Sequence, residues 1–247
     1  MTGRAAEPTV RKGEPREKRI PAPVAGPVSV AAPLLRGQSH AVAAVVAVGA
    51  LALLMRSTHG VSLERASLLL YGVSSVALFT VSALYHLGRW PPRGRAGLRR
   101  LDHAMICVMI AAGATPLAVI LLTGWWRVGL LAGVWGVTLG DVALLIVKPP
   151  SRPRRIALYG VLSALALLAT PMIVVRLGFA GAGLPALAAA LCIAGAIVYT
   201  LRRPTLWPRI FGYHELFHLA VIAAHVVFFV FIVRDVAPLM PGLESPL

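Results

Sequence analysis

Seven stretches of this chain stay apolar for about the 20 residues that a helix needs to cross the hydrocarbon core of a bilayer. That property leaves few folds open. The runs fall near Ser39 to Met55, Ala66 to Leu87, Asp102 to Thr123, Trp125 to Val147, Ile156 to Val175, Leu184 to Leu201 and Tyr213 to Val233. Inside hydrocarbon no water satisfies backbone N–H and C=O groups, so runs of this length cross as α-helices, whose hydrogen bonds are internal. The expected fold class is all-α, a polytopic membrane protein built as a seven-transmembrane helix bundle. Composition agrees: 58% of the 247 residues are apolar, 13% are charged and the mean hydropathy is +0.80, outside the range of a soluble domain. Pro116, Pro171 and Pro185 lie in or at the edges of three runs. Bundled membrane helices tolerate them because neighbours satisfy the freed carbonyls.

Residues 1–37 differ, being Pro-rich and charged with no apolar stretch long enough for a signal-peptide core. They are expected to form a disordered, basic cytoplasmic tail that is not cleaved. Residues 38–247 form one membrane domain, because the connections between runs are too short to hold another. The two cysteines, Cys107 and Cys192, both sit within apolar runs. They read as packing residues rather than a disulfide framework.

The formal charge of +15 does not point to nucleic acid, because the basic residues occupy the gaps between apolar runs rather than one face of a domain. Their distribution is a topology signal. The tail and its junction carry seven (Arg4, Arg11, Lys12, Arg16, Lys18, Arg19, Arg36). The gap after the second run carries five (Arg89, Arg93, Arg95, Arg99, Arg100), the gap after the fourth four (Lys148, Arg152, Arg154, Arg155) and the gap after the sixth three (Arg202, Arg203, Arg209). The alternate gaps hold only Arg56, Arg65, Arg127, Arg176 and Arg234. Positive residues stay on the cytoplasmic side, so the N-terminus is expected inside and the C-terminus outside. Seven spans meet that requirement.

With orientation set, the depth of each polar residue follows. The second helix runs inward and carries Ser82 and His86 at its cytoplasmic end. The third runs outward from Asp102, and the seventh carries His214 and His218 in its first two turns. Three segments distant in sequence thus deliver three histidines, an aspartate and a serine to one inner-leaflet layer. Polar groups at such depth are costly and mark function. Residues four apart on a helix lie about 40° apart around the axis, so His214 and His218 share a face and can share a metal ion. Three neutral imidazoles leave zinc one open position for a water, which such a site makes acidic near neutral pH. Asp102 is the expected base, and Ser82, one turn from His86, the hydrogen-bond donor to the water or a substrate carbonyl.

At these residues the chain resembles the hemolysin III branch of the progestin and adiponectin receptor superfamily of seven-helix membrane proteins. The elements that carry the resemblance are Ser82-Ala83-Leu84-Tyr85-His86, Leu101-Asp102-His103 and His214-Glu215-Leu216-Phe217-His218. It covers the chain from about residue 38 onward and leaves the tail unmatched. It implies zinc held by His86, His214 and His218, with Ser82 and Asp102 against the zinc-bound water. It also implies a cytoplasmic N-terminus and kinship with ceramidase-type hydrolases.

Several polar residues have plainer readings. His40 and His59, at opposite ends of the first helix, read as interfacial. His103, about 100° around the helix from Asp102, reads as interfacial or as supporting the site from behind. His225, seven residues after His218, is placed to line the bundle interior without reaching the metal. Asp141 is expected to pair with a basic residue, cap a polar cavity or face the interface, three options that sequence does not separate. Trp90, Trp207, Trp125 and Trp126 fit interfacial aromatic belts.

The last motif also matches the His-Glu-x-x-His signature of zinc metalloproteases, in which Glu215 would be the base. That reading leaves His86 and Asp102 unused. In a third reading zinc is structural and the protein is a non-enzymatic cytolysin or receptor. A structural site normally closes its fourth position with a protein ligand, for which Cys107 is the available residue. The expectation carried forward is a multi-pass protein of the bacterial plasma (inner) membrane that hydrolyses a lipid amide or ester with zinc. Substrate identity and oligomeric state are not legible in the sequence.

Overall fold

The computed structural model describes residues 37–147, 151–204, 207 and 211–240, so the tail expected over 1–37 lies outside the described residues except for Gly37. The described part is helical: α1 (Gln38–Arg56), α2 (Leu63–Leu87), α3 (Pro92–Leu121), α4 (Gly124–Val147), α5 (Arg152–Leu167), α6 (Thr170–Gly181), α7 (Gly183–Leu201) and α8 (Tyr213–Phe231). The chain continues past α8 as a wide turn, Ile232–Val236, and a tight one, Ala237–Leu239. Among the described residues, six helices are each long and apolar enough to cross a membrane. Counting α5 and α6 as one broken span gives seven.

The fifth apolar run is not one straight helix. It breaks after Leu167, and the two pieces are bent by 63°. Pro171 sits in the first turn of α6, where its missing N–H costs nothing, while its ring opposes continuation of the preceding helix. Gly178, at φ 70° inside α6, interrupts it again. Pro171 thus lies in the fifth run as expected, at the break where the second piece of that run starts as a new helix.

The third helix also departs from expectation. It begins at Pro92, ten residues before Asp102, so Asp102 lies in its third turn and not at its start. Pro92 is preset for a helical first turn, and Arg93, Arg95, Ala96, Leu98, Arg99 and Arg100 are good helix formers. Their charge made the segment read as a loop; their propensity makes it a helix that projects beyond the apolar layer.

α3 is the central element. Of its most apolar window 72% is buried, against 11% for α7 and 22% for α1. It contacts α2, α4, α5 and α6, while α1 packs on α2 and on α8, and α7 packs on α8. The outer faces of α1, α4 and α7 present Val45, Trp125 and Ile193, as helices facing lipid do. Small residues set the close approaches. A Cβ on Gly195 of α7 would lie 2.9 Å from Cβ of Ala220 on α8, the small-on-small contact that lets membrane helices pack without a hydrophobic driving force between them.

Polar ties join α3, α4 and α5 within the bundle. Asp141, buried on α4, accepts from Arg154 Nη2 of α5 at 2.9 Å and lies 3.7 Å from Cys107 Sγ of α3. Of the three options for Asp141, the structure selects pairing with a basic residue. An unpaired carboxylate at that depth would be costly. Tyr159 of α5 donates from its hydroxyl to the His103 carbonyl at 3.3 Å.

Candidate metal centre

Helix α8 owes its starting point to its first residues. Trp207 and Phe211 exchange two backbone hydrogen bonds, 2.9 and 2.8 Å, just before it, and Gly212 follows as the N-cap. Glu215 then turns back to accept from the Gly212 N–H at 2.9 Å. Helix N-termini leave N–H groups without internal partners, and an acid at the third helical position is a standard remedy. With the start set, His214 and His218 stand one turn apart. His86 comes from the last turn of α2.

The ring donor atoms of His86, His214 and His218 all lie within 4.8 Å of one another. His214 Nε2 and His86 Nε2 are 3.4 Å apart. Zinc–imidazole bonds of about 2.0–2.1 Å in a tetrahedron put two nitrogens about 3.3–3.4 Å apart, so this pair already has the spacing of two zinc ligands. The donor set suits zinc as well, since neutral imidazoles are its common ligands. His218 is buried and the other two are half-buried, so the cluster is open on one side. Tyr199 of α7 lies against His214, ring centroids 5.7 Å apart, and Tyr85 against His86 at 4.6 Å. Arg95 of the α3 extension sits 5.4 Å over the Tyr85 ring.

Ser82, one turn before His86 on α2, is buried, and its hydroxyl faces the Asp102 carboxyl of α3. The five residues selected from sequence thus resolve into a cluster of three imidazoles and an adjoining Ser82–Asp102 pair. Ser82 and His86 share one face of α2, which links the two.

The remaining candidates fall elsewhere. His103 is bonded at Nδ1 to the Arg99 carbonyl and contacts Arg155 Nη1 through Nε2 at 2.9 Å. It ties α3 to α5 and does not join the cluster. Cys107 is fully buried beside Asp141, away from the three imidazoles. His225 stacks on Tyr71 (5.5 Å) and meets Phe79 edge-on (5.2 Å), lining the interior as expected. His59 is exposed beyond the end of α1.

His40 does not conform. Instead of an interfacial position it is buried, 4% exposed, and its ring lies parallel to that of His218, centroids 4.0 Å apart and planes 13° apart. Its place at the start of α1, in the layer that the charge asymmetry assigns to the other three histidines, was the signal available in the sequence.

The Glu215 cap bears on the protease reading, because a carboxylate held by the Gly212 N–H serves the backbone. Glu215→Gln keeps an acceptor for that N–H and is expected to retain full metal content and activity. Glu215→Ala loses the cap and is expected to cost about 1 kcal/mol of stability, read from thermal unfolding. Loss of activity with retained metal in Glu215→Gln would restore Glu215 as a base.

A Hemolysin-3 of Bacillus cereus is 27% identical over 204 residues, a match that takes in 81% of this chain and 90% of that protein. The model of the family described as Haemolysin-III related matches residues 28–229, a span that contains all five site residues and every helix from α1 to most of α8. With a helical membrane bundle and a match across most of its length, the chain belongs to the Haemolysin-III related family.

Proposed function

We propose that this protein is a zinc-dependent hydrolase acting on an amide or ester bond of a membrane lipid. The observation that carries the reading is the convergence of three imidazole donors within 4.8 Å, beside a Ser82–Asp102 pair, in the interior of a membrane bundle. Zinc held by three imidazoles supplies a Lewis acid and lowers the pKa of water from 15.7 to about 7. His86, His214 and His218 would hold the ion. Asp102 takes the proton of the attacking water and carries it toward the leaving group. Ser82 has one hydroxyl proton to donate, to Asp102 in the resting protein and to a substrate carbonyl once one enters.

An apolar groove of about 400 Å³ between α1 and α2, lined by Ala41, Ala44, Ala83 and Leu87 among others, gives a lipid chain a surface on the bundle. The name of the Bacillus relative points instead to cytolysis, a membrane-perturbing activity that would require no turnover. Purified full-length protein incubated with a panel of lipid amides and esters decides between them. The expected result is about one zinc per chain and hydrolysis that a chelator stops and added zinc restores. Metal-free protein with undiminished activity, or vesicle lysis without any product, overturns the hydrolase reading.

The same reading places the N-terminus in the cytoplasm, the C-terminus outside and the protein in the bacterial plasma membrane, on the strength of the charge asymmetry. Reporters fused in the gaps after α2, α4 and α7 are expected to register as cytoplasmic, and a C-terminal fusion as external. A cytoplasmic C-terminus would remove the model.

A further inference from the structure

Two contacts bring the first turn of α1 against the imidazole cluster, although α1 contributes none of its three members. His40 stacks in parallel on His218, as described, and Phe79 of α2 closes the other side of His40 edge-on at 5.4 Å and 70°. Three residues earlier, Gly37 caps the helix at φ 87° and lies so close to α2 that a Cβ there would fall 2.7 Å from Cβ of His86. One turn of α1 therefore touches the ligand of α2 at its root and a ligand of α8 at its ring.

The geometry of the stack decides what His40 can do. A metal ligand meets its ion in the plane of the imidazole, whereas a ring lying parallel about 4 Å away keeps its own plane clear of that point. His40 is not a fourth ligand in this arrangement, and it falls outside the group whose donor atoms converge. What a parallel ring does fix is the tilt and rotation of its neighbour. His218 is the buried member of the set, and zinc affinity depends on how well ring planes are held before the ion arrives. Resting on the reading of the cluster as a zinc site, we infer that Gly37 and His40 form a positioning element, with His40 orienting the His218 imidazole for the ion and Gly37 allowing the α1 start to close on His86.

The test uses full-length protein in detergent, loaded with zinc or cobalt(II), and reads metal affinity by chelator competition together with the cobalt d–d spectrum, which reports ligand geometry. His40→Ala removes the stack and is expected to weaken zinc about tenfold or more, in the range usual for residues that orient a metal ligand, with shifted cobalt bands. His40→Phe keeps a flat ring between Phe79 and His218 and is expected to restore affinity to within about threefold, by the same argument. His225→Ala, an equally aromatic interior site off the stack, controls for general loosening and should leave the spectrum unchanged.

Wild-type affinity and spectrum in His40→Ala would overturn the inference, as would a His40→Phe variant no better than His40→Ala or a His225→Ala variant that shifts the bands equally. If wild-type protein binds no zinc or cobalt, the zinc reading falls and this one with it. If wild type binds and the His40 variants are indifferent, this one falls alone.

Discussion

His214→Ala is expected to remove zinc from the purified protein and with it any hydrolytic activity. One of three protein ligands is lost, and the remaining pair cannot hold the ion against water. The effect should exceed the roughly 10- to 100-fold weakening seen when only an outer partner of a ligand is removed. His214 gives the cleaner experiment because it is half-buried, so truncation opens onto accessible space. His218→Ala is expected to lose zinc equally, and in addition to leave a void under the His40 ring, so its unfolding temperature should fall further than that of His214→Ala. Zinc content by elemental analysis and melting of the metal-free forms separate the two effects. Zinc retained at about one per chain in His214→Ala would remove the three-imidazole site from consideration.

Asp102→Asn is expected to do the opposite, keeping the metal and losing turnover. The asparagine has nearly the shape of the aspartate and retains a carbonyl oxygen to accept from the Ser82 hydroxyl, so the pair between α2 and α3 persists. It cannot take up a proton. A general base contributes typically about 10²- to 10⁴-fold, and the fall in kcat should lie in that range with zinc content unchanged. If Asp102→Asn loses zinc as the histidine variants do, Asp102 is a ligand and the open position is not there. If neither quantity changes, the carboxylate serves only the fold, and a structural metal in a non-enzymatic membrane protein becomes the better account.

The membrane class, the helical fold and the identity of the three clustered histidines were legible without coordinates, because each depends on local information. Hydropathy over a window of about 20 residues reports a span, and a spacing of four places His214 and His218 on one face. His86 was reached through depth: span directions inferred from the charge asymmetry put residues near one set of helix ends into one layer. The same reasoning located Ser82 and Asp102. It went wrong where charge and propensity disagree, as in the arginine-rich segment that forms the first turns of α3, and it gave no sign of the break at Pro171.

What the sequence by itself determined, then, is which segments are long and apolar enough to enter the bilayer. Which helix neighbours which, and which side each residue turns to its neighbour, only the tertiary structure decided. In a soluble bundle an amphipathic stripe reveals the packed face, but helices that are apolar all round carry no such stripe, and lipid-facing and protein-facing positions read alike. The partners chosen by small residues and by buried polar groups therefore emerge only on packing. Arg154 could be matched to Asp141 only once α5 lay against α4. Glu215 could be seen as a cap only from the Gly212 N–H that it holds. His40, given a bland place at the end of the first helix, became a neighbour of the three-imidazole cluster because α1 packs against α8. That packing joins residues nearly the full length of the domain apart, and no periodicity in a single chain records it.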